Sequence, residues 1–187
     1  MIGYAFCGSF CTHATSLSIL SELREKGYDI QPIVSECVYS TDTRFGTSAR
    51  LIERICAICS RPVIHTIAMA EPLGPASPLD ALVIAPCTGN TLAKIACGIT
   101  DTAVTMASKA HLRCDRPLLV ALASNDALSA NLANISTLLQ RKQVFFVPMR
   151  QDDPRQKPHS LVADFSLVPD CLAHALKGEQ NRPLFLA

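Results

Sequence analysis

Short apolar runs alternate with amphipathic segments along most of the chain. Apolar runs of strand length occupy residues 2–7, 29–35, 81–85, 118–123 and 144–147. Segments with apolar positions three or four residues apart cover 47–59, 91–97, 101–112, 126–141 and 169–178, and an earlier segment of this kind begins near residue 14. Strands buried on both faces give unbroken apolar runs, whereas helices that pack on one face give the longer period. The alternation therefore predicts parallel strands joined by helices.

Two stretches interrupt this alternation. Residues 61–78 are rich in proline and small side chains, and they predict an irregular connection with one short β-like piece at 62–67. Residues 148–160 combine prolines, charges and amides, which predicts an exposed loop long enough to have a function.

Asp101 is the expected N-cap of the helix over 101–112.

Length and composition fit one domain covering residues 1–187. The chain has 187 residues, of which 49% are hydrophobic and 18% charged. This length is enough for one sizeable core, and the low charge fits a sheet covered on both faces. We predict a three-layer α/β fold, Rossmann-like or flavodoxin-like, with a parallel sheet and helices on both faces. The low charge is also compatible with surface buried in a homo-oligomer.

Charge and cysteine usage narrow the possible partners. The formal net charge is +1 with both signs interspersed, so no basic stripe is available for nucleic acid, and we expect small ligands. The N-terminus lacks a basic region, and no apolar run approaches the ~20 residues that a membrane-spanning helix needs. The nine cysteines are scattered, as expected for reduced thiols. We predict a cytoplasmic protein without a membrane segment.

The loop after the first strand is a candidate phosphate site. Gly8, Ser9 and Phe10 lie between that strand and a predicted helix, where backbone N–H groups, a hydroxyl and the positive helix end are available. The alternative is that Gly8 and Ser9 only form a tight turn. The chain contains neither G-x-G-x-x-G after this strand nor G-x-x-x-x-G-K-[ST], so dinucleotides and nucleoside triphosphates are not expected to bind in the usual way.

The most informative segment covers residues 85–98, where a buried strand leads through a polar loop into a helix. Thr88, Asn90 and Thr91 offer donors and acceptors suited to the edge of a heterocycle, and Gly89 allows a close approach of the backbone. An ordinary capping loop with Thr91 as N-cap is the alternative.

This segment resembles the P-x-T-A-N-T-x-A-K-x-A-x-G-[IL]-x-D pattern of the FMN-dependent cysteine decarboxylase family of flavoproteins. The matching positions are Pro86, Thr88, Asn90, Thr91, Ala93, Lys94, Ala96, Gly98, Ile99 and Asp101. The resemblance implies FMN, with its phosphate near the first loop and the second strand end and its ring against the 86–91 loop. The residues implied to bind it are Gly8, Ser9, Phe10, Ser35, Pro86, Cys87, Thr88, Asn90 and Thr91.

Three further runs, over 106–113, 123–131 and 147–163, are similar to the flavoprotein B subunits of dipicolinate synthases. This resemblance implies a pairing with a nucleotide-binding A subunit, which would hold NADP, and the oxidation of dihydrodipicolinate to pyridine-2,6-dicarboxylate during sporulation. It also implies trimers or multiples of trimers. The missing dinucleotide fingerprint agrees with such a division of labour.

The chain departs from the decarboxylases in two motifs. Their catalytic histidine precedes the flavin-loop strand, where His65 is the nearest histidine here, and their P-A-M-N motif is replaced by residues 123–126, A-S-N-D. His65 alone is more typical of a satisfied strand histidine than of a base. A decarboxylase or a flavin prenyltransferase of the same superfamily remains an alternative, and so does a non-catalytic subunit that stabilises its partner.

A dicarboxylate substrate would need cations. One candidate cluster contains Lys109, His111 and Arg113; the second, in the 148–160 loop, contains Arg150, Arg155, Lys157 and His159. The alternative for both is a solvated surface. Cys56 and Cys59 form a C-x-x-C at a predicted helix C-terminus, where a thiolate is disfavoured, and no second pair has zinc-ligand spacing. We therefore expect buried thiols and no metal.

Overall fold

The computed structural model describes residues 1–76 and 79–187 and contains a seven-stranded sheet in that part of the chain. The strands are β1 (Ile2–Phe6), β2 (Ile30–Val34), β3 (Ala81–Cys87), β4 (Leu118–Ser124), β5 (Val144–Phe146), β6 (Met149–Arg150) and β7 (Leu161–Ala163). The helices are α1 (His13–Glu25), α2 (Glu36–Ser40), α3 (Ser48–Cys59), α4 (Ile67–Ala70), α5 (Gly89–Cys97), α6 (Ala103–Leu112), α7 (Leu132–Leu139) and α8 (Val168–Ala175).

The first five strands are parallel, as predicted, and lie in the order β2-β1-β3-β4-β5. The last two strands add an antiparallel extension that was not predicted. β7 pairs with the end of β4 through Ala123 and Ser124, and β6 pairs with β7. The sequence did not reveal these two strands because they border the polar, proline-containing 148–160 stretch and their pairing depends on contacts distant in sequence.

The core lies on both faces of the sheet, which confirms the three-layer α/β fold. Tyr4 and Phe6 belong to the cluster that includes Leu20 of α1 and residues of α3 and α8. Leu82 and Ile84 belong to a second cluster, with residues of α4, α5, α6 and α7. Neighbouring strand residues enter opposite clusters because side chains alternate across a strand.

The helix predicted over 101–112 begins two residues later than expected, at Ala103. Thr102, not Asp101, caps α6: its hydroxyl accepts from the Thr105 N–H at 3.1 Å, and the Thr105 hydroxyl accepts from the Thr102 N–H at 3.0 Å. This reciprocal pair satisfies two N–H groups at the helix start, and Asp101 instead forms an ion pair with Lys94.

The helix predicted over 126–141 is reduced to α7. The carbonyl of Asp126 accepts from the N–H groups of Ser129 and Asn131, at 3.1 and 3.2 Å, so the chain turns there before the helix begins. Short polar side chains compete with helical hydrogen bonds and favour such turns.

The two irregular stretches are partly ordered by neighbouring strands. Within the 61–78 connection, Ile64 forms a single bridge to Ile33 of β2, and Thr66 caps α4; residues 77 and 78 lie outside the described residues. The predicted 148–160 loop begins with β6 and continues as exposed turns. We infer that pairing of β6 with β7 anchors this loop beside the end of β4.

The strand order places a crevice between β1 and β3. The chain leaves β1 toward β2 on one side, whereas β3 lies on the other side of β1, so the order reverses at this point. Open parallel sheets bind ligands at such a reversal, at the carboxyl ends of the strands. The loops at residues 8–12 and 88–91 follow these two strand ends.

Candidate functional site

A cavity of about 620 Å³ lies at the carboxyl ends of β1, β3 and β4. Its volume falls within the range of small-molecule and cofactor sites. It brings together the two candidate loops, the turn after β4 and parts of two exposed loops. The lining residues are Gly8, Ser9, Phe10, Cys11, Thr12, Arg44, Phe45, Thr88, Gly89, Asn90, Ala123, Ser124, Asn125, Asp126, Asp152, Lys157, Ser160 and Val162.

The β1 loop has the features of an anion site. Ser9 stands at the start of a 3-10 turn, Phe10–Thr12, that leads into α1, and its hydroxyl makes no capping hydrogen bond. The hydroxyl of Thr12 donates to the Ser9 carbonyl at 2.8 Å and fixes the turn. A carbon added to Gly8 would meet its nearest atoms, Cys37 Sγ and the Phe10 ring, at ordinary contact distances of 3.7 Å. The loop therefore combines an uncommitted hydroxyl with room beside the backbone.

The β3 loop is shaped by Thr88. Its hydroxyl accepts from the Thr91 N–H at 3.2 Å and donates to the Thr91 hydroxyl at 3.1 Å, so α5 begins at Gly89. The alternative with Thr91 as N-cap was wrong, because Thr91 lies inside the first turn. Asn90 is exposed in this turn and lines the cavity.

A polar cluster beside Gly89 joins the β3 loop to the turn after β4. The Ser124 hydroxyl donates to Asp126 Oδ1. A carbon added to Gly89 would lie 2.5 Å from Asn131 Nδ2 and from Ser124 Oγ, and 2.7 Å from Asp126 Oδ1. A larger residue at this position would force these three side chains to shift. In the sequence, Ser124 and Asp126 belonged to the 123–131 run and departed from the decarboxylase motif, and no role was predicted for either residue.

Two exposed loops supply the charged side chains at the mouth of the cavity. Lys157, on the loop before β7, lies with Nζ 2.6 Å from Asp152 Oδ2. Arg44 and Phe45 come from the loop between α2 and α3, for which no role was predicted from the sequence. The position of a polar, glycine-containing stretch after the second strand was the available signal, because parallel strands end at the same edge.

Four of the nine predicted flavin residues are not among the residues that line the cavity. Pro86 and Cys87 are buried in β3, and Thr91 is buried in α5. The hydroxyl of Ser35 accepts from the Val38 N–H at 3.4 Å as the cap of α2. Burial raises the pKa of the Cys87 thiol well above its usual value, so this thiol is protonated at neutral pH.

A buried thiol also lies at the end of β1. Burial raises the pKa of Cys7 to about 11, and its carbonyl oxygen lies 2.8 Å from Nε2 of the buried His13. Neither Cys7 nor Cys87 has the electropositive, accessible surroundings of a reactive thiolate. The described residues hold no group of three His, Cys, Asp or Glu side chains that could bind a metal ion.

The first cation cluster lies elsewhere. Lys109 and Arg113 line a separate cavity together with Arg141 and Lys142, at the ends of α5, α6 and α7. Cations stabilise helix C-termini, and Arg141 donates to the Ala96 carbonyl at 3.3 Å. His111 is buried and its Nε2 lies 2.9 Å from the Pro117 carbonyl oxygen.

The other charged and histidine candidates from the sequence do not line the cavity. Arg150 forms an ion pair with Asp164, and Arg155 is exposed in the 148–160 loop. His159 is exposed and accepts from the Leu128 N–H through its carbonyl at 2.9 Å. The ring of His65 stacks on Tyr39 with a centroid distance of 3.8 Å, and His65 is not among the residues that line the cavity.

A family model described as Flavoprotein matches residues 2–165. The chain belongs to the Flavoprotein family. It is 41% identical over 185 residues to the dipicolinate synthase B subunit of Bacillus subtilis (strain 168), covering 99% of this chain and 92% of that protein. The match confirms the flavoprotein family and the likeness to B subunits expected from the sequence.

Two solved structures share the fold of this chain. The crystal structure of the dipicolinate synthase B subunit from Bacillus halodurans C superimposes with a TM-score of 0.91 at 40% identity, covering 100% of this chain and 95% of that one. The FMN-dependent cysteine decarboxylase SpaF gives a TM-score of 0.67 at 22% identity, covering 93% of this chain and 95% of that one, which is a likeness of fold alone.

The cavity residues fit a flavin mononucleotide. The Ser9 hydroxyl and the start of the 3-10 turn suit a single phosphate, and the exposed amide of Asn90 suits the polar edge of a ring system.

The described residues include no helix that is long and apolar enough to span a membrane.

Proposed function

We propose that this chain is the FMN-binding B subunit of a dipicolinate synthase. In this proposal it works with a nucleotide-binding A subunit, which holds NADP, to oxidise dihydrodipicolinate to pyridine-2,6-dicarboxylate during sporulation. The observation that carries the proposal is that both candidate loops line one cavity, in a chain 41% identical to a B subunit over nearly its whole length.

FMN is favoured over FAD by the shape of the β1 loop. One hydroxyl and one short turn can hold a single phosphate, whereas a pyrophosphate is usually bound by a glycine-rich loop that this chain lacks. In the proposed complex, Gly8, Ser9 and Phe10 hold the phosphate, while Thr88 and Asn90 bind the ring edge. Pro86, Cys87 and Thr91 support that loop from below, and Ser35 supports the neighbouring α2. Bound FMN would supply a two-electron acceptor.

Oxidation fits the remaining side chains better than decarboxylation does. His65 is stacked on Tyr39 and is absent from the cavity lining, and residues 123–126 contribute Ser124 and Asp126 instead of P-A-M-N. The oxidation removes a hydride and a proton from the substrate, and NADP⁺ takes up the hydride to become NADPH. Asp126, which accepts from Ser124, is the carboxylate on the β4 side that can accept the proton.

We also propose a homo-oligomer, a trimer or a multiple of trimers, in the cytoplasm. Exposed apolar side chains such as Ile99 and Leu132 support association. All nine cysteines are free thiols, which supports a reducing compartment. The molar mass in solution, measured by light scattering, tests the oligomer.

The decisive experiment measures flavin binding and turnover separately. The purified chain is incubated with FMN or FAD, and the retained flavin is released and identified by chromatography. Formation of pyridine-2,6-dicarboxylate from dihydrodipicolinate and NADP⁺ is then followed by absorbance with each subunit alone and with both together. We expect FMN retention and multiple turnovers only with both subunits. Retention of FAD alone, or of no flavin, would contradict the proposed cofactor, and multiple turnovers by this chain alone would contradict the assigned nicotinamide site.

A further inference from the structure

We infer that Arg44 binds a carboxylate group of the substrate at the mouth of the flavin cavity. The inference rests on the proposed function, because it takes a small planar dicarboxylate as the ligand. Arg44 belongs to none of the motifs that indicate the flavin, and it comes from the loop between α2 and α3, far in sequence from the 148–160 loop.

The backbone around Arg44 is held in one conformation. The N–H of Thr43 donates to the Gly46 carbonyl at 3.0 Å, and the Gly46 N–H donates to the Thr43 carbonyl at 3.1 Å. Gly46 has a φ of 138°, which favours glycine. The carboxylate of Asp42 accepts from the Ser48 N–H at 2.8 Å and closes the base of the loop. Arg44 and Phe45 are thereby presented at the tip of a fixed turn.

The charges at the cavity leave Arg44 as the available cation. Four charged side chains line it: Arg44, Asp126, Asp152 and Lys157. Lys157 is paired with Asp152, whereas no carboxylate lies within 4.0 Å of the Arg44 guanidinium in the part of the chain that the structure describes. The guanidinium carbon instead lies 4.9 Å from the centre of the Phe45 ring. A bound FMN phosphate and a dicarboxylate would add negative charge, so an unpaired cation is needed there.

The chemistry of this pair suits a planar heterocyclic acid. A guanidinium group can donate two parallel hydrogen bonds to one carboxylate, and stacking on an aromatic ring keeps its plane oriented. Phe45 is 55% exposed and offers an apolar face beside the charge. The FMN phosphate is the other anion that Arg44 could meet, and the two sources are distinguishable by experiment.

The test uses the FMN-loaded chain in complex with its nucleotide-binding partner. Arg44→Gln removes the charge, Arg44→Lys keeps the charge without the fork, and Arg54→Gln is the matched control, since Arg54 is exposed on α3 and lines the neighbouring groove. Dissociation constants are measured by calorimetry for pyridine-2,6-dicarboxylate and pyridine-2-carboxylate, together with the FMN dissociation constant, KM and kcat.

We expect Arg44→Gln to weaken dicarboxylate binding and raise KM about ten- to hundredfold, the range for hydrogen bonds to charged groups. The expected change in kcat is below about threefold, FMN affinity is unchanged, Arg44→Lys recovers part of the loss, and Arg54→Gln matches the wild type. The loss of affinity in Arg44→Gln should be larger for the dicarboxylate than for the monocarboxylate.

Three results would overturn the inference. They are unchanged dicarboxylate affinity in Arg44→Gln, no dicarboxylate binding by the wild-type complex, and loss of FMN in the variant, which would assign Arg44 to the phosphate. A wild-type chain that takes up no flavin would instead refute the proposed function, so the two failures are distinguishable.

Discussion

Lys157 and Asp152 form an ion pair at the mouth of the cavity, with Nζ 2.6 Å from Oδ2. A hydrogen bond from Lys157, followed by one from Ser160, lowers the pKa of Asp152. The Asp152 carboxylate in turn raises the pKa of Lys157. In the proposed function a substrate carboxylate can compete with Asp152 for the same ammonium group, so Lys157 is a second candidate cation at the cavity that Arg44 also lines.

Lys157→Gln should raise the pKa of Asp152 toward its ordinary value, because the main hydrogen bond to the carboxylate is lost. A depressed carboxyl pKa stabilises the fold above the ordinary pKa of about 4, and this contribution disappears as the pH falls through the depressed value. NMR titration of the Asp152 carboxyl carbon measures the shift in both proteins. Identical titration midpoints would show that the ion pair does not form in solution.

The loop that carries Lys157 should affect substrate or partner more than flavin. Arg155→Glu combined with Lys157→Glu should raise the substrate KM or weaken the complex with the partner, because two cations become carboxylates at an exposed loop. FMN content should stay at the wild-type level. Release of flavin by this double variant would place the phosphate, rather than the substrate or partner, beside the loop.

Two glycines of the cavity should respond differently to a methyl group. Gly89→Ala places a carbon against Asn131, Ser124 and Asp126, and overpacking of this kind costs about 1–3 kcal/mol of unfolding free energy. Gly8→Ala has ordinary contacts only, so its stability should match the wild type while its FMN affinity falls. Chemical denaturation and flavin titration of both variants test this contrast. Equal losses of stability would contradict the packing described around Gly89.

Asn90→Asp should weaken flavin binding much more than Cys87→Ala. Asn90 is exposed and lines the cavity. In the proposed complex its amide binds the ring edge, so the substitution would place a carboxylate against an electron-rich ring with loss of a hydrogen bond, at about 1–3 kcal/mol. Cys87 is buried in β3, so its truncation should lower stability and leave the cavity surface intact. Quenching of flavin fluorescence gives both affinities, and equal values would argue against a flavin ring at this loop.

Much of the fold followed from the sequence because long apolar strands and periodic helices determine it. The five parallel strands and the two loops that meet at the cavity were predicted from their patterns. β6 and β7 escaped because their pairing depends on contacts distant in sequence. The helix predicted from 126 was too long because the N–H groups of Ser129 and Asn131 bond to the Asp126 carbonyl in a turn that an apolar stripe does not reveal.

For the charged candidates, the sequence did not predict which part of the folded chain each side chain faces. Lys109 and His111 are two positions apart on α6 and therefore face different sides of the helix. Lys109 is exposed, whereas His111 is buried beside Pro117. Arg44 was missed for a different reason: a single arginine in a short turn forms no charged cluster in the sequence. Only the folded chain brings Arg44 to the cavity that the two candidate flavin loops line.

The last prediction concerns His111, which is buried and contacts the Pro117 carbonyl, so we expect it to contribute to stability and not to substrate binding. Burial lowers its pKa, the hydrogen bond to the Pro117 carbonyl opposes that effect, and no partner is present for the buried Nδ1 among the described residues. The unfolded chain therefore binds more protons near pH 6 than the folded chain does. Stability should rise with pH through the ordinary histidine range of about 6–7 and fall on acidification.

The variant His111→Gln removes this titration, so the loss of unfolding free energy between pH 7.5 and pH 5.5 should be smaller than in the wild type. His13, whose pKa burial also lowers, leaves part of the slope in place, and His13→Gln in a second variant accounts for that part. Denaturation curves at several pH values measure the slopes. Substrate affinity should be unchanged in folded His111→Gln, and a selective rise in KM with an unaltered pH slope would instead assign His111 to the substrate.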